Sequence, residues 1–170
     1  MYFPSTYNEH NQSLKRFINT FNEYSQQRGG RFTIKMKEED FHSDGFIIDS
    51  KTKKEIVFDW EKRHSYYITY GFPFDTFGQF ERKIKKSGID MSIQCSKNEN
   101  AFCIAWHSDF KKEEVKNINS KTERGNTENT GKRFTKDFKE IKYDNMKEFY
   151  EILERAFDNN QFNKNSFLNG

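Results

Sequence analysis

The 170-residue chain is short of the residues that announce several protein classes: 2 cysteines, 2 prolines and 9 glycines, with 33% apolar residues. Cys95 and Cys103 are too few for a disulfide scaffold or a zinc cage. No window holds about 18 uninterrupted apolar residues, so no membrane span is expected. Met1-Tyr2-Phe3-Pro4 lacks a basic region leading into an apolar stretch, so no secretory signal is expected and the chain reads as cytoplasmic. An excess of one charge sign is missing too. The 29 basic and 26 acidic residues leave a net charge of +3, which argues against a DNA mimic and permits nucleic-acid binding without requiring it. There is no phosphate-binding glycine loop and no dinucleotide fingerprint.

What the chain does have is aromatic side chains. Its 19 Phe, 8 Tyr and 2 Trp outnumber Ile, Leu and Val together. Each buried ring removes roughly 150–250 Å² from water, so an aromatic core can fold a chain in which 32% of residues are charged.

Apolar spacing places a helix over residues 8–27, with Leu14, Phe17, Ile18, Phe21 and Tyr24 on one face and Gly29-Gly30 ending it. Strands follow over 31–37, 44–49 and 55–62, the third apolar enough at Ile56-Val57-Phe58 to be central. A second helix is expected over 75–87, with Phe77, Phe80 and Ile84 on one face. A hairpin pairs 91–96 with 101–107, Cys95 opposing Phe102, Ile93 opposing Ile104 and Met91 opposing Trp106. Its other face carries Ser92, Gln94, Cys103 and Ala105, fit to lie under a helix or line a groove. Cys95 and Cys103 fall on opposite faces, which excludes a disulfide. Residues 111–137, nearly devoid of large apolar side chains, read as a mobile polar loop. A last helix spans 144–159, and residues 160–170 read as a loose tail.

The expected class is α+β: a central mixed β-sheet flanked by helices, in the order helix-strand-strand-strand-helix-strand-strand. Residues 1–110 form the core, and a strand and helix within 138–159 pack on it.

The chemistry-bearing feature is Val57-Phe58-Asp59-Trp60-Glu61-Lys62-Arg63. On a strand, Asp59, Glu61 and Arg63 point one way and Phe58, Trp60 and Lys62 the other. Two carboxylates at the end of a buried strand call for a cation or solvent, and hard oxygen ligands suit Mg²⁺. Asp44 begins the neighbouring strand of the same hairpin, and Glu23 offers a further oxygen. A solvated salt-bridge patch is the plainer account of such acids taken singly; the conjunction of one acid, an acid pair and a following basic helix favours a site. His107-Ser108-Asp109 has a triad's composition without its geometry. The Tyr66, Tyr67, Tyr70, Phe72 and Phe74 cluster reads as core with one ring exposed, the alternative being stacking on unpaired bases.

With these elements the chain resembles the PD-(D/E)xK nuclease superfamily, the restriction-endonuclease-like fold, whose core runs helix, three strands, helix, strand. Asp44 matches the acid of the second strand, and Asp59-Trp60-Glu61 matches an acid-x-Glu variant of the third. Lys62 lies one residue beyond the motif position. Lys83, one helical turn after Gln79, is the alternative lysine. Asp59-Trp60-Glu61, Phe72-Pro73 and Gln79 also resemble RecU-type Holliday junction resolvases. The resemblance implies metal-assisted hydrolysis of DNA by a homodimer. Asp44 and Asp59, with Glu23 or Glu61, would hold Mg²⁺ or Mn²⁺, and Lys62 or Lys83 would orient the nucleophile. Gln79, Arg82, Lys85, Lys86, Lys111 and Lys112 would contact the nucleic acid, although for any single lysine a solvated face is as good an account. The other class of function compatible with the sequence is a non-catalytic binding or inhibitor protein, a phage-encoded one included, with a protein or nucleic-acid partner.

Overall fold

A computed structural model of the chain describes residues 4–37, 44–66, 71–85, 88–110, 115–121 and 127–167. Helix α1 (Pro4–Gln27) buries Leu14, Phe17, Ile18 and Phe21. It stops where Gly29 and Gly30 take positive φ (110° and 73°), a conformation cheap only for glycine. Strands β1 (Phe32–Met36), β2 (Gly45–Asp49) and β3 (Glu55–Lys62) form an antiparallel meander. Asp49 organises the β2–β3 turn. It accepts hydrogen bonds from Arg31 Nε (2.8 Å), Lys51 N (3.1 Å) and Thr52 Oγ1 (2.6 Å), which hold its carboxyl down at about 2 against the opposing effect of burial.

The chain then crosses over through β4 (Phe77–Phe80) and the one-turn helix α2 (Glu81–Lys85) to β5 (Met91–Cys95), which lies parallel to β3. β6 (Ala101–Trp106) returns antiparallel to β5, β7 (Val115–Lys121) and β8 (Thr127–Thr135) pair with each other, and β9 (Lys139–Lys142) closes the edge beside β6. Helix α3 is Met146–Asn159. The result is an α+β fold: a mixed six-stranded sheet ordered β1-β2-β3-β5-β6-β9 and a three-stranded sheet ordered β4-β8-β7. No helix among the described residues is long and apolar enough to cross a membrane.

The core is aromatic, on both faces of the large sheet. Under α1 and α3, Phe17 packs on Trp60 (centroids 4.8 Å) and Phe102 (5.1 Å), and Phe32 meets Tyr150 at 5.0 Å. On the opposite face a smaller cluster gathers Tyr66, Phe77, Ala101, Cys103, Ala105 and Phe110. Cys95 and Cys103 are free and buried on opposite faces. The hairpin register is the expected one, Cys95↔Phe102, Ile93↔Ile104 and Met91↔Trp106.

Three expectations are corrected. Residues 115–121 and 127–135 are strands rather than a loop, and the expected helix over 75–87 is a strand followed by one helical turn. The two differences have one cause, because β4 pairs antiparallel with β8. Gly78 opposes Phe134 so closely that a Cβ there would lie 2.7 Å from the ring, a fit that draws 77–80 into a sheet despite helical spacing of Phe77, Phe80 and Ile84. The tail is not loose up to Phe167. A 3₁₀ turn over Lys164–Phe167 buries Ser166, whose hydroxyl accepts from Trp106 Nε1 at 2.8 Å, while Phe162 and Phe167 pack on the core.

Candidate functional site

The site lies in the second half of β3, where the Asp59 side chain turns away from the core under α1 and α3. Alternation turns Phe58 and Trp60 into the large core and Asp59 toward β4 and α2. Asp44, just ahead of β2, is drawn in by the ladder: its N donates to Phe58 O (3.0 Å) and its Oδ2 accepts from Trp60 N (2.7 Å). The adjoining Gly45 permits this approach, since a Cβ there would lie 2.7 Å from both Lys35 O and the Phe58 ring. From α1, His10 Nε2 meets Asp44 Oδ1 at 2.9 Å. Burial works against charge on this pair. The hydrogen bond and mutual attraction outweigh it, so Asp44 is held below and His10 above the ordinary value.

Asp59 is buried, with 4% of its surface exposed. Lys83 Nζ lies 3.1 Å from its Oδ2 and 3.3 Å from its Oδ1. Burial pushes the Asp59 carboxyl up; Lys83 opposes this, and the negative charges of Asp44 and Glu61 reinforce it. Lys83 is held charged: burial pulls its pKa down, but Asp59 and Glu61 lift it above the ordinary value. The pair is asymmetric, a charged lysine beside a carboxylate whose charge is disfavoured by burial and by the acids Asp44 and Glu61.

Gln79 fixes Asp59 from β4. Its Oε1 accepts from Phe80 N (2.8 Å), which orients the amide so that Nε2 donates to Asp59 Oδ2 (3.2 Å) and Ser92 Oγ (2.9 Å). The Ser92 hydroxyl lies 2.6 Å from His107 Nε2. Ser92 Oγ accepts from Gln79 and keeps both a second lone pair and its own proton, so either tautomer of a neutral His107 completes this bond. Burial first, and then the Lys83 charge, push His107 down to about 4, consistent with that neutral form.

The structure therefore brings together Asp44, Asp59, Glu61, Gln79 and Lys83. It does not bring Lys62 or Glu23. Lys62 sits on the opposite strand face, where Nζ pairs with Glu99 (3.1 Å) and Glu9, because β3 carries no bulge to re-aim it. Glu23 is exposed on α1, thirteen residues beyond His10, or about 20 Å along a helix. Gln79 is a buried positioning group rather than a nucleic-acid contact. Arg82 is exposed with its guanidinium 5.1 Å over the Phe80 ring. Lys85 is exposed and paired with Glu81 at 2.9 Å. Lys86, Lys111 and Lys112 lie outside the described residues. His107-Ser108-Asp109 makes no triad, since Ser108 Oγ donates to Phe162 O (2.7 Å) while His107 faces Ser92.

Sequence reasoning missed His10, Ser92 and His107 as site members. The polar face of the β5 strand was a signal for Ser92; a single histidine on a polar helix gave none for His10.

Two aspartates suit a hard divalent cation, because Mg²⁺ is commonly held by one or two carboxylates and keeps several waters. Among the described residues no group of three or more His, Cys, Asp and Glu stands close enough to form a ready-made cage. Compared with known proteins, the chain matches no family model, no curated protein and no solved structure.

Proposed function

We propose that the chain is a metal-dependent nuclease that hydrolyses phosphodiester bonds in DNA on a restriction-endonuclease-like fold. The observation that carries the reading is the convergence of Asp44 from the β2 end, Asp59 from β3 and Lys83 from the crossover. Helix α1, strands β1–β3 and the parallel strand β5 follow in the order that the resemblance to the PD-(D/E)xK superfamily implies, with β4 and the one-turn α2 standing where it implies a helix. Asp44 and Asp59 stand at the two acid positions of the resemblance, and Lys83 supplies its alternative lysine.

Asp44 and Asp59 are the residues that would hold Mg²⁺ or Mn²⁺, with Glu61 adjoining. When bound, such an ion lowers the pKa of a water and offsets charge on the phosphate. The chain's own groups supply the rest. His10 and the Trp60 amide fix Asp44, and Gln79 fixes Asp59. Lys83, held protonated beside Asp59, is placed to orient the attacking water or to stabilise the developing oxyanion.

The test is incubation of the purified protein with supercoiled plasmid and a synthetic four-way junction in Mg²⁺, Mn²⁺ or EDTA, beside Asp59→Ala. Metal-dependent cutting lost in the variant supports the reading. Absence of cutting on every substrate moves the assignment to a binding protein.

A further inference from the structure

Just past the end of β3, Arg63 N still donates to Cys95 O of β5 (3.0 Å), and Arg63 lies two residues beyond Glu61, a step of about 6.6 Å along an extended chain. One arm of its guanidinium is fixed, since Nη1 donates to Gln94 Oε1 (2.9 Å) and Gln94 Nε2 donates to Gly78 O (3.0 Å). The guanidinium lies 5.4 Å over the Phe74 ring and 6.0 Å from that of Phe72. Phe72 is anchored in the smaller core, 5.2 Å from Tyr66 and 5.1 Å from Phe138. Phe74 stands edge-on to Phe72 at 5.8 Å and is 49% exposed, alone among large hydrophobic side chains of the described residues. Lys132 of β8 is close enough for the charges of Arg63 and Glu61 to act on it, and it caps the Phe80 ring at 5.0 Å.

An open aromatic ring held against a cation, with a second cation nearby, matches a ligand that is planar and attached to negative charge. A nucleotide answers to both, but a base inside a duplex has both faces covered by its neighbours. We infer that Phe74, backed by Arg63, is a stacking platform for an unpaired base, so that the substrate presents a single-stranded stretch beside the carboxylate site. This rests on the reading of the chain as acting on nucleic acid, and it names the class of substrate. Stacking is tolerant of base identity, so the platform selects strandedness rather than sequence.

The experiment measures binding in EDTA, without cleavage, by fluorescence anisotropy of a labelled 15-nucleotide oligothymidylate and a 15-base-pair duplex. Wild type, Phe74→Ala and Phe74→Trp are compared, each first checked for native circular dichroism. Phe74→Ala is expected to weaken oligothymidylate binding about tenfold, within the range of one lost stack, and to leave duplex binding within about twofold. Phe74→Trp restores single-strand affinity, and its emission is quenched by the oligonucleotide. Equal loss on both substrates, no loss on either, or no single-strand binding by wild type overturns the inference. Parallel plasmid cleavage in Mg²⁺ separates the two readings. Cutting without Phe74-dependent binding removes the platform alone; Phe74-dependent binding without cutting removes the nuclease alone.

Discussion

Lys83 reaches back 24 residues to place its ammonium 3.1 Å from Asp59 Oδ2, making a half-open ion pair in the second half of a buried strand. Its two members contribute unequally to folding. Asp59 is a carboxylate whose charge burial and two like charges disfavour, whereas Lys83 is charged and has Glu61 as a second neighbour. Stability and function are thereby set against each other at one residue.

Asp59→Asn is accordingly expected to abolish metal-dependent cutting while leaving the thermal midpoint unchanged or higher. Asparagine keeps an acceptor for Gln79 and removes the disfavoured charge. Lys83→Ala leaves a buried carboxylate unpaired and is expected to destabilise by about 2 kcal/mol, below the 3–5 kcal/mol seen for fully buried pairs because the lysine is partly exposed. Thermal melts of both single variants and the double variant test this, the double recovering most of the loss.

The assignment of the lysine is tested by charge removal on the two faces of β3. Lys83→Ala is expected to lower the cleavage rate by about 100-fold, in the range for loss of one preorganised donor. Lys62→Ala is expected to leave cleavage within about threefold and to weaken the fold by about 1 kcal/mol through its bonds to Glu9 and Glu99. Rates and melting midpoints measured on the same preparations separate the two effects.

His107 predicts a pH dependence. Its pKa is about 4 when folded against about 6.5 unfolded. Above pH 6.5 both states are neutral and its contribution is complete. As the pH falls from 6.5 to 4, the unfolded state takes up the proton first, so stability is lost, by about 3 kcal/mol across the window. His107→Gln keeps a hydrogen-bonding group for Ser92 and removes this loss. Urea midpoints at pH 7 and 4.5 should converge for the variant relative to wild type.

Gly45 carries a stability prediction tied to the site. A methyl group there meets Lys35 O and the Phe58 ring at 2.7 Å, and backbone cannot give way cheaply. Gly45→Ala is expected to cost about 2–3 kcal/mol, in the range of overpacking, and to lower cleavage by displacing Asp44. At Gly78 the obstructing atoms belong to the Phe134 side chain, so Gly78→Ala costs less. Denaturant melts of the two variants rank them.

Much of the fold was legible because the local signals agree with tertiary packing. The register of Ile93 with Ile104 follows from alternation, and so does the placing of Asp59 opposite Trp60, which carries Lys62 away from the site. Lys83 was legible as the alternative lysine, through the resemblance, but its pairing with Asp59 and that of Gln79 were not. What stayed hidden depends on long-range pairing. The polar stretch around Thr127–Thr135 has no apolar alternation, yet it forms a strand because β4 and β7 complete its backbone ladder. His10 meets Asp44 across 34 residues, a contact set by how α1 docks on the sheet and invisible in either local sequence.

The most direct measurement is cleavage of supercoiled plasmid and a four-way junction in Mg²⁺, with EDTA as control, by wild type, Asp59→Asn and Lys83→Ala. The account predicts metal-dependent nicking or resolution by wild type, none by Asp59→Asn and about 100-fold less by Lys83→Ala. Equal cutting by all three proteins, or no cutting by wild type on either substrate, contradicts it.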